Sequence, residues 1–309
     1  MAELQFKHHI ATDPTALKFG TAFIDDANLT ADTTGAIESI QNISKGGFDQ
    51  SATGDLSAPG RNLLVFIHGF DNNFENVLTR AAFIQQRFLG SSNAGASTTV
   101  IAFSWPSAGT LVSFPIPQAA YLRDQMAAGQ SGAHIMSFFV ALAPILTAAR
   151  TSGARIILLA HSMGNWALQS GVESWFTHGH DAAPLFDEVI LAAADEQFSS
   201  FEFPLPGRLS GLHRPTKRTS IYYSRVDQVL QLSMVVNLGA QRLGQDGPRH
   251  RTDQTLFPPD QYRMVDCTDC RDYAFDTPSS HQYYRRSLVV RTDIAGIIAG
   301  PAPGGMVGV

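Results

Sequence analysis

Residues 156–165 read IILLAHSMGN, an apolar run that stops at a serine and passes directly into a helix-like stretch. A capping serine would explain that boundary without any chemistry, because its hydroxyl accepts from the first free N–H groups of a helix. The alternative is a buried strand followed by a sharp turn that carries Ser162 outward. Such a turn crowds the positions two before and two after the serine, so both must be small. Here they are Ala160 and Gly164, one methyl away from the G-x-S-x-G pattern. A strand before the serine and a helix after it are the context that favours a nucleophile over a cap.

Working outward, the same alternation recurs. NLLVFIHGF (62–70) is a continuous apolar run ending near glycine, and FENVLTRAAFIQQRFL (74–89) sets Val77, Ala81, Ile84 and Phe88 at helical spacing. TTVIAFSW (98–105), RIILLAHS (155–162), DEVILAAAD (187–195), TSIYYSRVD (219–227) and YRMVDC (262–267) read as further strands, with helices around 132–150, 164–176 and from Tyr283. Two short strands, LQFKHHIA and LKFGTAFID, open the chain. Continuous apolar strands alternating with helices predict an α/β fold: a mostly parallel sheet covered by helices on both faces. The expectation is a single domain over 1–309, with N-terminal strands and a polar surface loop in 1–60, a core over 61–295 and a loose glycine-rich tail at 296–309. IMSFFVALAPILTAA (135–149) is too short to cross a bilayer and contains Pro144, so it reads as a buried, kinked helix.

In parallel sheets, ligands gather at the carboxyl ends of the strands. His68, Ser104, Ser162, Asp195 and Asp227 all fall just past such ends. A serine needs a base within hydrogen-bond reach and a third group to orient that base. In the order serine, acid, histidine, Asp227 and His281 suit the remaining roles, with Asp195 as the competing acid. His178, His180, His213 and His250 lie in loops or at a helix end, with no strand before them. Backbone N–H groups of Met163 and Phe70 are the expected oxyanion donors. His68 is expected to order the loop that carries Phe70 and is counted with the substrate-binding residues.

VFIHGFDNNFENVLTRAAF, IAFSWPSAG, YLRDQMAAGQS, LLAHSMGN and LAAADE together resemble the domain of unknown function 900 group of α/β hydrolases, which carries HG-[FY]-x-N, F-S-W-P-S and A-H-S-M-G-N motifs. The match spans about residues 60–200. The resemblance implies an α/β-hydrolase fold and carries Ser162, Phe70 and Met163 onto this chain; Asp124 and Ser131 fit a recurrent Asp and Ser after F-S-W-P-S. Asp227 and His281 rest on their positions after strands. The group's name implies no substrate.

The formal charge of −5 is spread without a basic or acidic block, which excludes an electrostatic footprint for nucleic acid and predicts no stable membrane insertion. The opening residues lack a secretory pattern, so a cytoplasmic location is expected. Cys267 and Cys270 are half of a four-thiolate zinc site and read as ordinary thiols, with a local disulfide as the alternative. No cofactor or metal is implied. Two apolar segments, 106–121 and 200–212, are either packed loops or the walls of an acyl pocket with Phe70, Phe74, Leu111, Phe114 and Tyr283. Only about twenty residues separate the strands on either side of 200–212, too few for a large cap domain.

The expected partner is therefore a small-molecule ester, cleaved through Ser162, His281 and Asp227. Thioester or amide hydrolysis and acyl transfer use the same parts, and a non-catalytic binding protein retaining the fold is the alternative from another class. A membrane-surface lipase would need a larger amphipathic lid than the sequence offers. Oligomeric state is left open.

Overall fold

The computed structural model describes residues 2–9, 17–25, 29–32, 36–70, 72–88, 98–107, 118–180, 184–204, 208–270, 273–274, 277–278 and 280–309. Three strands, β1 (Ala2–His9), β2 (Leu17–Asp25) and β3 (Ala36–Ile43), precede helix α1 (Lys45–Leu56). Then come β4 (Asn62–Ile67), α2 (Phe74–Phe83) and β5 (Thr98–Ser104), followed by three successive helices, α3 (Gln118–Gln130), α4 (Gly132–Ala141) and α5 (Ala143–Thr151). The centre is β6 (Ile156–His161), α6 (Gly164–Thr177), β7 (Glu188–Ala192) and β8 (Thr219–Tyr223). Helices α7 (Gln228–Val236) and α8 (Leu243–Asp246) lead to β9 (Tyr262–Asp266) and a two-residue hairpin, β10 (Tyr273–Ala274) with β11 (Thr277–Pro278). Helices α9 (Tyr283–Arg286) and α10 (Leu288–Ala299) and strand β12 (Gly305–Gly308) complete the order.

Ten strands form one sheet in the order β12-β9-β8-β7-β6-β4-β5-β1-β2-β3. Every pairing from β12 to β1 is parallel, and β2 and β3 add an antiparallel end. The central strands β4 to β8 are buried on both faces, and their side chains divide by the two-residue period of extended chain. Leu63, Val65 and Ile67 point into a core shared with α1 and α3 to α6, whereas Leu64 and Phe66 point into one shared with α2, α9 and α10. Helices α4 and α6 cross closely because Gly132 and Gly171 lie at the contact; a Cβ on Gly171 would fall 2.3 Å from Ile135 Cγ2. The expected kink at Pro144 is a 45° bend between α4 and α5, with the proline in the first turn of α5, where its missing N–H is harmless. Among the described residues no single helix is long and apolar enough to cross a membrane.

Three parts of the fold differ from the sequence expectation. The stretch read as a surface loop contains β3 and α1: Ser44 caps the helix at Gly47 N, and Phe48, Ala52 and Leu56 are buried at four-residue spacing. The first apolar segment, 106–121, runs into the start of helix α3, and in the second, 200–212, Leu209 and Leu212 are buried in the main core, so their packing is structural. The tail is the parallel edge strand β12 on β9. Its entry is tight: a Cβ on Gly304 would lie 1.6 Å from Pro259 O, and Gly305 takes φ 84°. Cys267 and Cys270 are free thiols. Cys270 Sγ donates to the Val309 carbonyl at 3.0 Å, and burial pushes the Cys267 thiol well up.

Candidate functional site

Strand β6 ends at His161, and the chain then turns into α6 through Ser162 and Met163. Ser162 has φ 52°, a left-handed conformation that costs a non-glycine residue about 1–3 kcal/mol and is held only by its surroundings. Those surroundings are specific. Ser162 N donates to Ala192 O at 3.0 Å, while Ser162 O accepts from Asn165 N at 3.0 Å and Asp195 N at 3.1 Å. Asn165 Nδ2 adds hydrogen bonds to Ala160 O and Ser162 O. The small neighbours are required by contact: a Cβ on Gly164 would sit 2.3 Å from His68 O, and one on Gly69 would sit 2.8 Å from Ser162 Cβ. The motif glycines thus let the end of β4 and the turn after β6 touch.

His281 follows β11 and precedes α9. Its Nε2 lies 3.0 Å from Ser162 Oγ, and its Nδ1 lies 2.8 Å from Asp227 Oδ2. A carboxylate only accepts, so the imidazole proton sits on Nδ1 and Nε2 is left to accept from the serine hydroxyl. Asp227 is fully buried and has a second task. As the N-cap of α7 it accepts from Leu230 N at Oδ1, 2.9 Å away. One carboxylate therefore ties the orientation of His281 to the start of a helix.

Asp195, the competing acid, is engaged elsewhere. Its carboxylate accepts from Arg242 Nε and Tyr121 OH, each at 2.8 Å, and from Ser233 Oγ at 2.5 Å. Arg242 also donates from Nη2 to Asp195 O. The group braces α3 and α7 against the residues behind Ser162.

The N–H groups of Phe70 and Met163 have no acceptor among the described residues. The loop carrying Phe70 is ordered by His68, which is fully buried. His68 donates from Nδ1 to Gly69 O at 2.9 Å and accepts at Nε2 from Trp105 N at 3.1 Å, and its ring stacks on Trp105 at 4.9 Å. Burial pushes its pKa down to about 3, so the ring stays neutral. His68 is accordingly the loop brace that was expected, and its full burial takes it out of the substrate-binding set. Tyr283 is also buried: its hydroxyl donates to Tyr222 O and accepts from Ala193 N, so it holds β7 to β8 and does not line an open wall. Phe74 is half-buried on the α2 side, and Phe70 packs against Tyr121. Leu111 and Phe114 lie outside the described residues.

Sequence reasoning missed His161. It is buried, donates from Nε2 to the His281 carbonyl at 3.1 Å, and lies 4.4 Å from the Tyr284 ring. Burial and the neighbouring His281 hold its pKa well below the usual histidine range. Its position inside A-H-S-M-G-N was the available signal. Among the described residues, no three His, Cys, Asp or Glu side chains converge to hold a metal ion.

A parallel sheet with a strained strand-to-helix serine at its carboxyl edge defines an α/β-hydrolase fold. The family described as alpha/beta hydrolase of unknown function (DUF900) matches residues 49–295, and the chain belongs to it. Among solved structures, the chain is similar to Aspergillus fumigatus lipase B, at 14% identity and TM-score 0.42, covering 81% of this chain and 55% of that one. It is also similar to a hyperthermophilic esterase from the archaeon Pyrobaculum calidifontis, at 11% identity and TM-score 0.35, covering 77% and 75%. The comparison with curated proteins gave no match.

Proposed function

We propose that the protein is a serine hydrolase of carboxylic esters with Ser162 as nucleophile, His281 as base and Asp227 as the acid that orients it. The observation that carries this reading is the unbroken string Ser162 Oγ to His281 Nε2 (3.0 Å) and His281 Nδ1 to Asp227 Oδ2 (2.8 Å), set on a strained turn. Ser162 Oγ attacks the ester carbonyl carbon as its proton passes to His281 Nε2. The carbonyl electrons move onto oxygen, where the Phe70 and Met163 N–H groups receive the charge. Collapse breaks the bond to the alcohol, which leaves with the proton from His281. Water then enters: His281 takes its proton, its oxygen bonds to the acyl carbon, and the carboxylic acid departs as Ser162 regains its hydrogen. Asp227 stabilises the imidazolium in both halves. Phe70, half-buried beside this turn, favours apolar acyl or aryl groups over charged ones.

The test is labelling with a fluorophosphonate probe followed by peptide mapping. Stoichiometric modification of Ser162 is expected, abolished in Ser162→Ala and much slower in His281→Ala, with turnover of aryl esters of graded acyl length. A folded wild type that takes no label overturns the reading.

A further inference from the structure

We propose that Asn72, Ser107 and Asp124 form a positioning set that aims the Phe70 N–H at the oxyanion; the inference rests on the serine-hydrolase reading and extends it to residues that do not touch the substrate. A trans peptide is planar, with its C=O and N–H pointing in opposite directions, so fixing the Gly69 carbonyl fixes the direction of the Phe70 N–H. The Gly69 oxygen accepts from Asn72 Nδ2 at 2.9 Å as well as from His68 Nδ1. The same Asn72 amide donates to Phe70 O at 2.8 Å, closing a clamp around the residue whose N–H is to be used.

Asn72 is held in its turn. Its backbone N–H donates to Ser107 Oγ at 3.3 Å, and the Ser107 hydroxyl donates to Asp124 Oδ2 at 2.6 Å. Giving its proton to Asp124 leaves the Ser107 oxygen free to accept from Asn72, so the carboxylate sets the sense of the whole chain. Asn72 and Asp124 are both almost fully buried. A buried carboxylate is expensive where packing alone is needed, which points to an ordering role. Asp124 stands on α3, the helix whose Tyr121 donates to Asp195, and Asp195 N in turn donates to Ser162 O. Helix α3 thereby joins the carrier of one oxyanion donor to the turn that carries the other. The asparagine of H-G-F-x-N, the last serine of F-S-W-P-S and the aspartate that follows thus fall into a single hydrogen-bonded chain.

The test uses Ser107→Ala, Ser107→Thr, Asp124→Asn and Asn72→Asp, each titrated for active sites with the fluorophosphonate. It compares kcat and KM on an aryl ester and the affinity of an aryl trifluoromethyl ketone, whose adduct with a serine is a tetrahedral oxyanion. Removing one oxyanion donor outright costs about 100- to 1,000-fold, and misaiming it costs less. Ser107→Ala is expected to lower kcat per titrated site about tenfold and weaken the ketone by the same factor with KM within about twofold. Asp124→Asn should fall between it and wild type. Ser107→Thr should recover most of the loss, and Asn72→Asp, which cannot donate to either carbonyl, should lose about 100-fold. Wild-type kcat and ketone affinity in folded Ser107→Ala, or a loss as deep in Ser107→Thr as in Ser107→Ala, overturns the proposal. An unlabelled wild type overturns the parent reading and this inference with it; a labelled wild type with unaltered variants overturns this inference alone.

Discussion

Asp227→Asn separates the two tasks of one buried side chain. Asparagine caps helices as well as aspartate does, so the hydrogen bond from Leu230 N to Oδ1 survives and α7 starts where it did. The other end reverses. An amide Nδ2 placed 2.8 Å from His281 Nδ1 donates where Oδ2 accepted, which moves the imidazole proton to Nε2. The Nε2 then cannot take the proton of Ser162, 3.0 Å away. The expected loss is that of a triad locked in the wrong tautomer, about 10⁴-fold in kcat, or roughly 5 kcal/mol of barrier. Stability should change little. Asp227→Ala, by contrast, removes the cap as well, about 1 kcal/mol, which in a chain of this size lowers Tm by about 2 °C. The assay pairs the second-order rate of fluorophosphonate labelling with thermal unfolding for both variants. Asp227→Asn labelling within tenfold of wild type would show that the carboxylate does not set the His281 tautomer, and a fall in Tm equal to that of Asp227→Ala would show that the cap was not kept.

Two further outcomes test the rest of the molecule. Gly304→Ala should lower Tm by several degrees, because its Cβ would meet Pro259 O at 1.6 Å and unseat β12, while Gly300→Ala, with nothing within 4 Å, should be nearly neutral; equal effects would show that β12 adds no stability. Glu196 is fully buried, hydrogen-bonded by Ser200 and 3.5 Å from Arg208, and burial raises its pKa from 4.5 to about 7. The folded state therefore holds this proton through a window where the unfolded chain has released it, and stability falls as pH rises from about 4.5 to 7, by about 3 kcal/mol. Glu196→Gln removes that dependence, so the Tm of the variant minus that of wild type should climb between pH 5 and 7; a flat or falling difference counts against it.

The central fold was legible because buried parallel strands carry a continuous apolar signal: Leu63–Ile67 and Ile156–Ala160 admit no other reading once a helix follows each. The strand ends then placed Ser162 and Asp227 on one edge, and His281 was the downstream histidine set between a strand and a helix. Helix α1 was not legible, since its three buried anchors are interleaved with Gly46, Gly47, Gly54 and small polar residues whose intrinsic preference is for turns. Strand β12 was hidden for a related reason. Gly305 and Gly308 contribute backbone pairing but no apolar pattern, so only the register against Arg263–Asp266 reveals the strand. The role of Asp195 turns on Arg242, 47 residues away, and no local spacing reports such a pair. His68 and Tyr283 were placed near the substrate by their position in the chain, but their depth is a property of packing.

The separation of 119 positions from Ser162 to His281 also has a meaning in time. A ribosome adds about 5–20 residues per second, so the strand and turn that carry the serine emerge roughly 6–24 seconds before the histidine exists. Asp227 emerges within that interval, 54 residues ahead of His281, so throughout it the serine has no imidazole to take its proton. On the proposed reading the hydroxyl gains its base only once residue 281 has been made, so a chain still in synthesis carries the turn without its string of hydrogen bonds.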